Sequence, residues 1–167
     1  MPSVLSWARR YVAAGFSVFP IRANGEKAPA VSTWTPYQQR RPTDDELANW
    51  FADDSHGIAI VCGAVSGGLV VMDFETEVAY REWLVHAEPL ADEIDRSPLV
   101  VTPSGGRHLY LRCPNPPRNL KLARDESGET SIETRGGGGY VLAPGSPAGC
   151  HELNKTYEWE RYGWLKK

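Results

Sequence analysis

The chain has 167 residues, of which 41% are hydrophobic, and a formal net charge of −3. This length supports one hydrophobic core in one domain, and the slightly acidic average excludes the strongly basic class of nucleic-acid binders. No stretch approaches the roughly 18 consecutive apolar residues of a membrane span, and Arg9 and Arg10 interrupt the N-terminal apolar segment, so we expect a soluble cytoplasmic protein with no membrane partner.

The N-terminal third predicts α-helices and a strand. Apolar residues recur at helical spacing after Ser3 and before Gly15, which serve as N-cap and terminating residue. The apolar run at 16–21 predicts a short strand. Residues 22–42 are rich in proline, glycine and polar residues and predict a loop. Thr43 then opens a capping box, which predicts the start of a second helix.

The rest of the chain is rich in predicted strands. Apolar runs bounded by glycine at 57–63 and 67–74 predict two buried strands, and a helical segment follows from Glu77 with a bend near Pro89. Five further strand segments are predicted, with the sequences "SPLVVTP", "RHLYLRC", "TSIETR", "GYVLAP" and "YEWERY". This order of elements indicates an α+β fold.

Charge is unevenly distributed along the chain. Between Asp73 and Asp95 there are eight acidic residues and one basic residue, whereas Ser97 to Arg124 contains five basic residues and no acidic one. Such segregation suits a metal on the acidic part and a phosphate-bearing ligand on the basic part. For residues 82–95 a solvated helix face is the simpler interpretation.

The segment "VVMDFET" at 70–76 ends an apolar strand in two carboxylates. Asp73 and Glu75 are two residues apart, so on a strand they point to the same face. Two crowded carboxylates need solvent, a cation or another partner. Mg²⁺ and Mn²⁺ prefer such oxygen ligands, but for the segment taken alone a solvated strand end is the simpler interpretation.

The segment "TPSGGRHLYLR" at 102–112 places a glycine turn before a strand. Backbone N–H groups in such turns can bind anions. Arg107 and His108 are adjacent, so they face opposite sides of the strand and only one can point towards Asp73. The spacing does not decide which one, and a packed, hydrogen-bonded histidine remains the alternative.

The segment "SIETRGGGGYVLAPGS" at 131–146 predicts a β-hairpin with a glycine loop. Alternation places Glu133 on the same face as Ser131 and Arg135. Taken alone, Glu133 is most simply interpreted as part of the polar half of an alternating strand.

Cys62, Cys113 and Cys150 are scattered and form no C-x-x-C pair. No cysteine or histidine spacing matches that of a zinc site, so we expect reduced thiols and no structural zinc.

Taken in order, these segments resemble one protein family. An acidic pair, then Ser-Gly-Gly-x-His-x-Tyr, then an acidic residue followed by Arg-Gly-x-Gly-Gly-Tyr-Val-x-Ala-Pro-x-Ser resemble the bifunctional primase-polymerase domain of the archaeo-eukaryotic primase superfamily. The resemblance extends from "YVAAGFSVFPI" to "YEWERY". It implies one domain over 1–167, with a small N-terminal α/β unit at 1–56 and an RRM-like antiparallel or mixed sheet at 57–167.

The resemblance also implies roles for individual residues. Asp73, Glu75 and Glu133 would be catalytic ligands of two Mg²⁺ or Mn²⁺ ions, and His108 would contact the nucleotide phosphates. Further nucleotide-binding candidates are Ser104, Arg107 and Arg135. The chain departs from the family pattern twice, because Glu133 stands where aspartate is common and Gly106 where serine is common.

The expected function is template-dependent nucleotidyl transfer, as a DNA primase, a DNA polymerase or both, in the replication of a plasmid, phage or mobile element. Its partners would be a single-stranded DNA template, NTP or dNTP, and a helicase in the wider machinery. Candidate template-binding residues are Lys27, Arg40, Arg41, Arg118, Lys121 and Arg124. Trp34 and Tyr37 could stack on bases or pack in the protein. The alternatives are a non-catalytic nucleic-acid-binding or replication-initiation module and a metal-dependent nuclease.

Overall fold

Two antiparallel sheets organise residues 1–166, the part of the chain that this computed structural model describes. The helices are α1 (Val4–Ala13), α2 (Asp44–Trp50), α3 (Glu77–His86) and α4 (Ala91–Asp95). The strands are β1 (Ser17–Arg22), β2 (His56–Val61), β3 (Leu69–Phe74), β4 (Leu99–Val101), β5 (Arg107–Arg112), β6 (Leu120–Arg124), β7 (Thr130–Arg135), β8 (Tyr140–Leu142) and β9 (Glu158–Arg161). The predicted α+β class is confirmed. No helix in the described part is long and apolar enough to cross a membrane.

The helix termini follow the predicted signals. The Ser3 hydroxyl accepts a hydrogen bond from the Ser6 N–H, and the Thr43 hydroxyl accepts one from the Glu46 N–H. Each bond satisfies an N–H group that the first helical turn leaves free. Gly15 follows α1 with φ +98°, a conformation that favours glycine.

The smaller sheet has the strand order β1-β2-β8. It therefore takes strands from both sides of residue 56, and the predicted boundary there does not separate the two sheets. The physical reason is that β2 pairs with β1 along its whole length, from Ser17 opposite Val61 to Arg22 opposite His56. The N-terminal unit is completed by β8, a strand from late in the chain.

The larger sheet has the order β6-β7-β3-β5-β4-β9, so β3 lies in its interior. On one face, Phe74 and Leu109 pack with residues of α3 and α4 such as Tyr80 and Ile94. On the other face, buried residues such as Tyr110 join the core shared with the smaller sheet. The strand end that carries Asp73 lies beyond this shared core, where the sheets leave a cleft.

The prediction of a hairpin at 131–146 is wrong. β7 pairs with β3 and β6, whereas β8 pairs with β2 in the other sheet. The four glycines at 136–139 carry the chain from one sheet to the other. A Cβ at Gly136 would lie 1.8 Å from the Pro117 carbonyl oxygen, so the glycine is required by close backbone packing instead of by a hairpin turn.

Candidate active site

Three predicted site residues form one row across the larger sheet. Asp73 on β3 is paired directly with His108 on β5 and with Glu133 on β7. Side chains of directly paired residues lie on the same face of a sheet. This register brings all three to the same end of the cleft and settles the orientation that the sequence left open, since His108 and not Arg107 is on the face of Asp73.

Asp73 and His108 contact each other. The His108 Nε2 lies 3.4 Å from an Asp73 carboxylate oxygen, and the two side chains are only 8% and 20% exposed, respectively. Burial would raise the pKa of Asp73, but the hydrogen bond and charge of His108, with the charges of Arg135 and Lys27, outweigh it and hold this pKa below its usual value. Asp73 is therefore an ionised carboxylate at neutral pH.

Glu75 lies just beyond the end of β3. Its backbone N–H donates to the Ser131 carbonyl (2.9 Å), and its side chain is exposed. Together with Asp73 and Glu133 it lines a recess of about 440 Å³, which we call the acidic recess. The turn between β6 and β7 adds Asp125 and Glu129 to this recess, two residues that the sequence analysis missed.

The acidic recess fits a divalent cation by its chemistry, because carboxylate oxygens are the ligands that Mg²⁺ and Mn²⁺ prefer. The carboxylates do not yet form a ready ligand set. Within residues 1–166, no group of three or more Asp, Glu, His or Cys side chains is placed to hold a metal ion. Asp73 contacts His108, and Glu133 contacts Arg135 instead.

A cleft of about 300 Å³ lies on the other side of Asp73, between the two sheets. We call it the cationic cleft, because Lys27 and Arg135 line it, together with His108, Asp73 and Glu26. Its remaining lining includes Asn119, Tyr157 and the three residues of β8. The combination of cations with an aromatic and apolar wall suits an anionic ligand that also carries a ring.

A smaller recess of about 120 Å³ extends from Asp73 and His108 to the predicted glycine turn. Ser104 lines it, as does His151, which the sequence analysis missed. The Nδ1 of His151 accepts a hydrogen bond from the Leu153 N–H (3.1 Å). Burial, together with the charge of Lys27, lowers the pKa of His151. His151 belongs to none of the motifs in the sequence, so its place in this recess could not be predicted from them.

Gly106 explains one departure from the family pattern. A Cβ at this position would lie 2.2 Å from the Phe74 carbonyl oxygen and 2.7 Å from that of Glu75. A serine therefore does not fit this backbone arrangement, and Ser104 at the neighbouring turn supplies the hydroxyl of this segment.

Arg107 is not brought to the cleft. Its Nε donates to a Glu160 carboxylate oxygen (3.0 Å), and its terminal nitrogen lies 3.6 Å from Glu77. It also donates to the carbonyls of Gly105 and Gly106, so it holds the turn in place from the opposite face of the sheet. Its sequence-predicted role in nucleotide binding has no support from this position.

The candidate template-binding residues divide into two groups. Lys27 lines the cationic cleft, and Lys121 on β6 is paired directly with Glu133. Arg118 and Arg124 flank Lys121 and are exposed. In contrast, Arg40 pairs with Glu46 and lies over the Tyr37 ring. Neither Arg40 nor the exposed Arg41 lines the acidic recess, the cationic cleft or the smaller recess.

Trp34 and Tyr37 pack on neighbouring rings. Trp34 stacks on Phe19 at a centroid distance of 5.1 Å, and Tyr37 meets the edge of Trp50 at 4.9 Å. Both are partly buried against the core, which favours the packing role over base stacking.

Comparison with known protein families identifies one family for this chain. The family model described as bifunctional DNA primase/polymerase, N-terminal, matches residues 8–166. No curated protein sequence matches the chain.

Proposed function

This chain belongs to the family of bifunctional DNA primase/polymerase N-terminal domains, and we propose that it transfers nucleotides to a growing strand under the direction of a template. Family membership supports a primase/polymerase type of nucleotidyltransferase in general. The observation that carries the proposal is the row Glu133, Asp73 and His108, with the acidic recess on one side and the cationic cleft on the other.

The cationic cleft would bind the nucleotide. Arg135 and Lys27 can neutralise the triphosphate, and His108 and the Ser104 hydroxyl can donate hydrogen bonds to phosphate oxygens. The wall formed by β8 would then face the sugar and base.

The acidic recess would hold the metal. Asp73, Glu75 and Glu133 are its proposed ligands, and two bound Mg²⁺ or Mn²⁺ ions would supply activation of the attacking 3′-hydroxyl and neutralisation of the leaving pyrophosphate. Asp73 lines both the recess and the cleft, so it orients the reacting phosphate relative to the attacking group.

A single-stranded template would run beside β6, the edge strand next to Glu133. Lys121 and Arg124 of β6, and Arg118 just before it, can contact phosphates, although Arg124 also donates to the Gly128 carbonyl. We place the activity in the replication of a plasmid, phage or mobile element, in cooperation with a helicase.

The test is incubation with single-stranded DNA, primed and unprimed, with labelled NTP or dNTP and Mn²⁺. The proposal expects extended primers, and new chains on the unprimed template if the protein also starts synthesis. A metal-dependent nuclease would instead shorten the DNA without added nucleotide, and a binding module would leave it unchanged. Either of those two results would contradict the proposal.

Asp73→Asn tests the metal-binding role of Asp73 in the same assay. The substitution keeps the shape of the side chain but removes a metal-binding charge, so we expect primer extension to fall at least about 100-fold while the protein remains folded. Glu126→Gln is the matched control, because Glu126 is an exposed acid of the β6–β7 turn that does not line the acidic recess. Equal extension rates for Asp73→Asn and the parent would refute the metal assignment.

A further inference from the structure

Arg135 and Glu133 form an ion pair on the boundary between the two proposed binding sites. They lie two residues apart on the same face of β7, and a terminal nitrogen of Arg135 contacts a Glu133 carboxylate oxygen. Arg135 lines the cationic cleft, whereas Glu133 lines the acidic recess. The pair therefore joins one residue from each site.

The ion pair keeps both residues from their proposed ligands. A guanidinium that is paired with a carboxylate has fewer donors free for phosphate oxygens, and a carboxylate that accepts from arginine has less negative charge to offer a cation. This agrees with the finding that residues 1–166 hold no ready group of metal ligands. The side chains of Arg135 and Glu133 are 36% and 23% exposed, so each can turn without unpacking the core.

We infer that Arg135 is an internal counter-ion of Glu133, and that binding of the nucleotide triphosphate draws Arg135 away and frees Glu133 to bind the metal. The inference rests on the proposed function and adds to it a coupling between triphosphate binding and metal binding. Arg135 acts here as a positioning residue that couples the two sites. Because such coupling is reciprocal, metal on Glu133 also releases Arg135 for the triphosphate.

The first measurement is the affinity for a fluorescent deoxynucleoside triphosphate in EDTA, where no divalent cation contributes. Glu133→Gln frees Arg135, so we expect the triphosphate to bind about two- to fivefold more tightly. This range corresponds to the strength of a partly exposed ion pair. Glu126→Gln removes the same charge from a nearby turn and is expected to change the affinity less than about 1.5-fold. Arg135→Gln should weaken binding.

The double variant Glu133→Gln with Arg135→Gln separates the ion pair from general charge effects. If Glu133 acts through Arg135, Glu133→Gln gives no tightening once Arg135 is absent, and the double variant binds like Arg135→Gln. Melting curves of all variants check that the fold is retained.

The second measurement is Mn²⁺ binding without nucleotide, followed by electron paramagnetic resonance. Arg135→Gln should bind Mn²⁺ about two- to fivefold more tightly than the parent, because Glu133 loses its competing cation. Lys27→Gln is the matched control, since Lys27 lines the same cleft and its charge, like that of Arg135, acts on Asp73, but it forms no salt bridge with Glu133. Its effect should be smaller.

The outcomes separate this inference from the proposed function. The inference is overturned if Glu133→Gln tightens triphosphate binding no more than Glu126→Gln does, if the tightening persists in the double variant, or if Arg135→Gln and Lys27→Gln affect Mn²⁺ equally. Primer extension by the parent protein would survive each of these results. Failure of the parent to bind triphosphate with or without Mn²⁺ would overturn both proposals.

Discussion

Adjacent residues on β5 have different roles because strand geometry sends their side chains to opposite faces. His108 faces Asp73 and the cationic cleft, whereas Arg107 holds the preceding turn from the other side. We expect His108→Ala to weaken triphosphate affinity, and Arg107→Ala, which acts only through the turn that it holds, to weaken it less. Titration of both variants with a fluorescent triphosphate checks this, and equal affinity of His108→Ala and the parent would contradict the phosphate role.

Arg107→Ala should instead reduce stability, because two carbonyl groups and Glu160 lose a buried donor. We expect a loss of about 1–3 kcal/mol in the free energy of unfolding, measured by urea denaturation. Arg81→Ala is the control, since Arg81 also pairs with Glu77 but is exposed, and it should cost less than about 0.5 kcal/mol.

His151 makes the fold sensitive to mild acid. Its lowered pKa means that the unfolded chain binds a proton more readily than the folded protein, so this residue removes stability as the pH falls below about 6.5, the ordinary histidine value. Protonation also places a hydrogen on Nδ1, which can then no longer accept the hydrogen bond from the Leu153 N–H. In His151→Gln, the melting temperature should therefore fall less between about pH 7.5 and about pH 5.5 than in the parent. An identical fall in both proteins would show that His151 does not titrate in this way.

At the level of elements, the glycine crossing from β7 to β8 is the segment most sensitive to side-chain size. A Cβ at Gly136 would overlap the Pro117 carbonyl, whereas a Cβ at Gly137 would come no closer than 4.0 Å to that atom. We expect Gly136→Ala to cost about 1–3 kcal/mol and Gly137→Ala to stay within about 0.5 kcal/mol. Urea denaturation of the two variants measures the difference, and similar stabilities would mean that the crossing can shift.

Sequence periodicity predicted most strands but could not supply their partners. The alternation at 131–135 correctly placed Glu133 and Arg135 on one face, because facing depends only on neighbouring residues. The pairing of Asp73 with His108 and Glu133 depends on register between distant segments, which no local pattern encodes. For the same reason the local pattern at 136–139 indicates a hairpin turn, although these glycines lead from one sheet to the other. β6 was not predicted, and the structure shows it as an edge strand whose Leu120 and Leu122 are both exposed.

The whole molecule places its proposed chemistry where the two sheets separate. Two of the three segments that link the sheets, 62–68 and 136–139, lie side by side next to the cationic cleft, with the Cys62 N–H donating to the Gly139 carbonyl (3.0 Å). The resemblance to a known family identified the motif residues, but only the arrangement of both sheets shows that Asn119 lines the cationic cleft, His151 lines the smaller recess and Tyr157 lines both.

The late position of β8 has a consequence for how the protein is made. On the ribosome, β1 and β2 emerge early, but their sheet gains its third strand only after Leu142 has left the exit tunnel. The larger sheet waits even longer, since β4 pairs with β9 at Glu158–Arg161. We therefore expect neither sheet to fold as a separate unit during translation, so the nascent chain stays dependent on protection from aggregation until β9 has emerged.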